Sequence, residues 1–385
     1  MTAERSQLRQ TDGDRAEASI RPLRILEIGG PFALFTQAVP QQTELYWTEA
    51  RRQNWTERTL GPWQMFGNLR RLRRGEFDLL VVHTMQYPPW HLRTILTVVR
   101  DWKLRSPFGL FAIFAWRFVH LFHKVPIAVL DLGDSCRIGA HNFFLLDRCR
   151  AFFKRELPSD YWLAFCKSSY PNFPGRRWRS GKRNQRRVEK LKPISLGCLP
   201  VTERFSAPEK RADIFFAGDI AANNTARIAG LQELAALADQ GYAVDIATQR
   251  LSRSEFLTRM SAAWLAWSPA GLGWECKRHY EAPLVGTVPL INYPTIMRHR
   301  PLLEDEHCVL YGVEAGGLAD AARRALADKP RLRRMASAAA DHVAAHHSDR
   351  ARAEYVTTTV LEHRLDGTLA PQAGRSRAAK IASHR

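Results

Sequence analysis

The chain has 385 residues, enough for two domains of ordinary size, and its 45% apolar and 25% charged residues are the proportions of a globular protein. Six cysteines are scattered at 136, 149, 166, 198, 276 and 308 with no C-x-x-C pair, which argues against a disulfide scaffold or a zinc site and suits a reducing cytoplasm. A formal net charge of +19 calls for an anionic partner: nucleic acid, an anionic membrane surface or a phosphate-rich substrate.

Residues 1–21 are polar and mixed in charge, unlike a signal or transit peptide, and read as a disordered lead-in. Residues 23–30, LRILEIGG, form an apolar strand closed by Gly29-Gly30, a fitting first strand for a Rossmann-like domain although the full G-x-G-x-x-G is missing. After the basic segment 70–74, residues 77–83 (FDLLVVH) predict a second buried strand with His83 at its carboxyl end. A base for an acceptor would sit there, though a lone histidine in that place is more often structural. Residues 107–123 are the most hydrophobic stretch, too short and too interrupted by Arg117, His120 and His123 to span a bilayer, which takes about 20 apolar residues. They predict a helix that is either half-buried in the domain or laid in the plane of a membrane.

Residues 127–134, IAVLDLGD, predict a strand running into a turn. Asp131 and Asp134 at its carboxyl end suit a general base or hydroxyl ligands, and equally suit turn and cap positions. In the following FFKREL, Lys154 and Arg155 would neutralise a diphosphate or an anionic acceptor, or cover a helix surface. Residues 175–192 hold nine Lys or Arg against one Glu and read as an exposed loop or face near a domain boundary. Such a run could contact anionic lipid or nucleic acid, but Trp178 is its sole aromatic, so stacking on a single strand is unsupported.

Residues 193–200 read as a linker into a second domain, whose first strand, 212–218, ends on Gly218. A polar cap at 223–225 starts a helix over 226–240, a strand follows at 242–247, and Ser252 or Ser254 caps a helix to 263. The chain then gives strand 264–267, a loop with Gly271 and Gly273, a helix over 274–285 ended by Gly286, and strand 288–291. In such a βαβ unit ligands sit beyond the carboxyl ends of the strands, where this sequence carries Glu275, Lys277, Arg278 and Glu281. Arg278 and Glu281, three apart, share a helix face, so that one cation can meet phosphate and one carboxylate can accept from sugar hydroxyls; the bland alternative is a surface ion pair. A strand at 307–311, helices over 318–326, 330–346 and 350–363, and a disordered tail from 366 complete the chain.

The pattern R-x-x-E-A, then Gly, then V-P-L-I resembles the donor-site segment of GT-B glycosyltransferases of the group 1 and exostosin-like types. Glu281-Ala282, Gly286 and Pro289 carry the match. The common family form has another acid seven positions earlier, where this chain has Trp274, the nearest acid being Glu275; Arg278 with Glu281 fits the exostosin-like variant better. The resemblance covers 210–350 well and 22–200 loosely, and implies an α/β fold of two Rossmann-like doubly wound domains facing a cleft. It divides the chain into lead-in 1–21, acceptor domain 22–197, donor domain 198–349, crossing helix 350–365 and tail 366–385.

The function so implied is glycosyl transfer from a nucleotide-sugar to a glycan or lipid-linked acceptor in cell-envelope or exopolysaccharide synthesis. No metal or other cofactor is implied, the nucleotide-sugar being a co-substrate, and outside the lead-in, where Asp12-Gly13-Asp14 stands, no D-x-D triplet occurs. Gly218, Gly271 and Gly273 would line the phosphates, with Asn223 and Arg227 nearby, while Arg278 and Lys277 would neutralise the leaving diphosphate and Glu281 would hold hydroxyls. His83, Asp131 and Asp134 are the candidate bases if the transfer inverts. A cytoplasmic enzyme touching the inner face of an anionic membrane follows from the charge. The competing readings are a nucleic-acid- or lipid-binding protein built on 175–192, an inactive protein of the same fold, and a sugar-nucleotide epimerase.

Overall fold

The computed structural model describes residues 21–29, 33–47, 62–84, 124–166, 181–198, 209–219 and 225–368. The expectations for 1–20, the apolar stretch 107–123, residues 175–180, Asn223 and the tail beyond 368 lie outside the described residues.

The first half is one parallel sheet of six strands: β1 (Ile25–Gly29), β2 (Thr43–Trp47), β3 (Leu79–His83), β4 (Ile127–Asp131), β5 (Ala151–Lys154) and β6 (Leu191–Pro193), in the order β2-β1-β3-β4-β5-β6. Between them run helices α1 (Leu34–Ala38), α2 (Pro62–Arg73), α3 (Phe143–Arg148) and α4 (Lys182–Glu189). The second half is a five-stranded parallel sheet of β7 (Ala212–Phe216), β8 (Val244–Ile246), β9 (Ala263–Trp267), β10 (Val288–Asn292) and β11 (Val309–Tyr311), in the order β11-β10-β9-β7-β8. Its helices are α5 (Thr225–Asp239), α6 (Arg253–Ser261), α7 (Arg278–Leu284), α8 (Gly317–Leu326) and α9 (Lys329–His346), and α10 (Asp349–Leu361) is the last described helix.

Continuous apolar runs such as LLVV and AWLAW are buried throughout, as befits strands with helices on both faces. Alternate residues of the first sheet feed two separate cores. Leu26, Ile28, Leu80, Val82 and Val129 meet Met65 and Leu72 of α2 and Phe143 and Leu146 of α3. Ile25, Leu79, Val81, Ala128 and Leu130 meet Phe35 of α1 and Val356 and Val360 of α10. Thus α10 leaves the second half and packs on the back of the first sheet.

Two expectations change. The helix placed over 274–285 shortens to α7, because the amides of Trp274 and Glu275 bond a carboxylate of the first half instead of continuing a helical turn. The run read as an exposed loop or face is, over 182–189, the helix α4, with Arg187 buried on Asp147.

In each sheet the chain reverses its direction of winding once. After β1 it moves outward to β2 and returns to place β3 on the other side; after β7 it does the same with β8 and β9. The crevices at the carboxyl ends of β1/β3 and of β7/β9 are therefore the switch points, where open parallel sheets bind ligands. The residues just after β5 and β10 join the halves: Pro158 bridges Ile296, and the Met297 amide donates to the Leu157 carbonyl at 2.7 Å. The two sheets consequently direct their carboxyl ends toward each other.

Candidate functional site

At the β7/β9 switch point two arginines converge. Arg278, the first residue of α7, is buried; it donates to the Trp267 carbonyl at 3.1 Å and lies 4.9 Å over the Phe216 ring. Arg227 of α5 donates to the carbonyls of Ala270, at 3.1 Å, and Asp219. A Cβ on Gly218 would stand 3.0 Å from the Arg278 guanidinium, and one on Gly271 would stand 2.9 Å from that of Arg227. These glycines thus let the two guanidiniums reach the strand-end loops. Among the described residues no carboxylate forms an ion pair with Arg278. Burial, with the charge of Arg227 added, pulls it down to about 10. Two like charges held together in a low-dielectric crevice make a site for an anion.

Glu281 is on the same helix face as Arg278 and is buried, with Oε1 accepting from Arg253 of α6 at 2.5 Å. Lys277, half-buried, occupies the N-cap position of α7.

Glu275 and Gly273 turn out differently. The Glu275 carboxylate accepts from the Leu196 amide at 2.7 Å and from the Tyr280 hydroxyl, which ties it to the interdomain linker rather than to the two arginines. Burial pushes it up to about 7 despite the Tyr280 hydrogen bond. Gly273 gives close approach to a protein carboxylate: Glu156 accepts from Trp274 N at 2.9 Å and Glu275 N at 3.0 Å, and a Cβ on Gly273 would come within 2.5 Å of it. The amides expected to line phosphate at this point therefore bond Glu156.

At the β1/β3 switch point His83 Nε2 stands 2.9 Å from Oε1 of Glu27, a fully buried carboxylate in the middle of β1. Glu27 also accepts from the amides of Phe35 and Thr36 and from the Thr36 hydroxyl. Burial alone would raise it, but His83 and the Thr36 donors hold it below the ordinary carboxylate range. A carboxylate opposite Nε2 fixes the proton there and leaves Nδ1 as the acceptor. Gly29 is needed for this arrangement, since a Cβ would stand 2.3 Å from the His83 ring.

The remaining candidates are committed to one another. Asp131 and Lys154 are register partners on β4 and β5 and form an ion pair of 2.8 Å, Lys154 being fully buried and also bonded to the Ser135 carbonyl. Thr84 donates to the other oxygen of Asp131 at 3.2 Å. Asp134 pairs with Arg155, which also meets Glu156 and the Leu132 carbonyl. Asp131 and Asp134 are therefore salt-bridge acceptors in this structure, and Lys154 and Arg155 have protein carboxylates as partners.

Glu27, Glu156 and Arg253 were not singled out from the sequence. Glu27 had a signal, as the one charge inside an apolar strand, which demands a buried partner.

No family model matches the chain, and no curated protein matches it by sequence. Solved structures do. HepE of Anabaena, in a complex with UDP, is 12% identical, with 88% of this chain and 97% of that one covered at a TM-score of 0.50. The catalytic domain of starch synthase IV from Arabidopsis thaliana, bound to ADP and acarbose, is 10% identical, with 88% and 99% covered at a TM-score of 0.50. The fold is GT-B. In GT-B terms the His83–Glu27 pair belongs to the first Rossmann-like domain and the Arg227–Arg278 pair to the second. Glu156 and Glu275 lie where those domains join.

Proposed function

We propose that this chain transfers a glycosyl group from a nucleotide-sugar donor to an acceptor hydroxyl. The convergence of Arg227 and Arg278 at the β7/β9 switch point carries the reading, because a nucleoside diphosphate is the anion that a buried guanidinium with a half-buried one beside it suits. The solved structures of HepE and of the starch synthase IV catalytic domain, bound to UDP and to ADP with acarbose, support the same class of ligand. In the transfer, the bond from the anomeric carbon to the phosphate oxygen breaks and its electron pair leaves with the diphosphate. The two arginines stabilise the charge that develops there, so no resident metal or other cofactor is assigned. Glu281, steadied by Arg253, holds donor hydroxyls with its second oxygen.

The acceptor oxygen forms the new bond and gives its proton to His83 Nδ1, while Glu27 stabilises the imidazolium through Nε2. This assignment predicts inversion at the anomeric carbon. The acceptor class is a cell-envelope or exopolysaccharide glycan, free or lipid-linked, reached by a cytoplasmic enzyme at the inner face of the membrane. Among the described residues no helix is long and apolar enough to cross a membrane. A panel of nucleotide-sugars with product analysis by NMR tests the reading: turnover giving the opposite anomer is expected. A folded protein that neither binds nor consumes any nucleotide-sugar would overturn it.

A further inference from the structure

The face of the first sheet opposite α10 carries α2, α3 and α4, and their outward surfaces are unusual in composition. On α2, Met65, Leu69 and Leu72 turn inward, while Trp63 is 80% and Phe66 is 64% exposed. Trp63, Phe66, Arg70 and Arg73 follow one another at spacings of three and four and so form one outward stripe, continued by Arg74. Among the described residues no carboxylate pairs with Arg70, Arg73 or Arg74; the neighbouring Arg71 is the one held by Glu44 and Glu76.

On the same face an open groove of about 510 Å³ lies between α3 and α4, bordered by Phe144, Arg148, Arg183, Arg186, Arg187 and Lys190 around Asp147. Five cations against one carboxylate leave a net +4, and Asp147 is already matched by Arg183 and Arg187 at 2.6 and 2.7 Å. Arg148 and Arg186 are exposed and have no carboxylate partner among the described residues.

We infer that this face docks the protein onto an anionic bilayer, with Trp63 and Phe66 entering the headgroup boundary and the α3–α4 groove taking lipid phosphates. Charge complementarity decides the occupant's sign, and the exposed aromatic pair decides its kind. Phosphates of a duplex would match the arginines but would leave two large apolar side chains in water. An interfacial helix needs both a basic flank and apolar side chains to insert. The surface is separate from both switch-point sites, so the inference stands whether or not the chain transfers sugar.

The test is co-sedimentation of the full chain with phosphatidylcholine vesicles, with and without about one-third phosphatidylglycerol, at low and physiological salt. Binding is expected only to the anionic vesicles. Trp63→Ala/Phe66→Ala should cut partitioning about tenfold and abolish the part that survives at high salt. Arg148→Ser/Arg186→Ser should weaken it roughly fivefold for each charge removed. Circular dichroism and the melting temperature, unchanged in both variants, separate this loss from misfolding. Equal binding to neutral vesicles would overturn the inference. So would full displacement by millimolar glycerol phosphate, which marks a free-phosphate site, or preferential binding to a DNA or RNA duplex that the aromatic substitutions do not touch.

Discussion

Arg278→Gln removes a charge that the ligand-free protein holds at a cost. Lowering an arginine from its ordinary range to about 10 corresponds to a penalty on the order of 3 kcal/mol for the charged form, present at every pH below about 10. Against this stands the hydrogen bond to the Trp267 carbonyl, of about 1 kcal/mol, so the variant without ligand should be no less stable than wild type, or more so. A diphosphate relieves the penalty and gains a charge-assisted bond. Losing that bond should weaken nucleotide affinity by about 1.5–3 kcal/mol, roughly tenfold to more than a hundredfold. Thermal shift reads both effects. At about 100 times the wild-type Kd a nucleotide adds roughly 2.7 kcal/mol, which for 385 residues at about 2.1 cal/mol/K each is about 3 °C. In the variant the same concentration should shift melting by less than about 2 °C. A full shift in the variant, or an apo form destabilised by several kcal/mol, would refute the placement of phosphate at this arginine.

His83→Ala should lower kcat by about a hundredfold or more with little change in donor KM, as measured in initial-rate assays. Glu27→Gln should keep the fold and move the alkaline or acid limb of the pH–rate profile. Since Glu27 lies below its ordinary value in the folded state, it contributes stability above the unfolded value near 4.5 that is lost as pH falls through the folded one. The gap of about 2 kcal/mol between variant and wild type at pH 7 should therefore close in acid, as followed by urea unfolding. Glu275 behaves in the opposite sense. Raised to about 7, it favours the folded state below pH 4.5, and that contribution is lost as pH rises to 7. Glu275→Gln should flatten this fall, which amounts to up to about 3 kcal/mol. Gly273→Ala places a methyl group 2.5 Å from the Glu156 carboxylate and should cost about 2–4 kcal/mol in denaturant titrations.

The second sheet was legible because its strands are short unbroken apolar runs, as in AWLAW and VPLIN, and Arg278 and Glu281 could be placed by their spacing on one helix. The edge strands of the first sheet were not. Thr43–Trp47 mixes polar and apolar residues, and Leu191–Pro193 has three residues inside a basic run. Helix α4 hid in the same run, although Arg, Lys, Gln and Glu are good helix formers. Charge pairing was out of reach in one dimension. Asp131 and Lys154 meet only because β4 and β5 align them, and Glu156 finds its amides 118 and 119 residues away.

Glu156 has a mechanical consequence. It grips the second half from the end of β5, the Leu196 amide binds Glu275 beside it, and His347 Nδ1 meets Ser195 at 2.9 Å close by the return crossing into α10. These ties lie where the chain itself passes between the sheets, like the spine of a book. A substitution at the spine therefore bears on how the half that carries His83 is held against the half that carries Arg278.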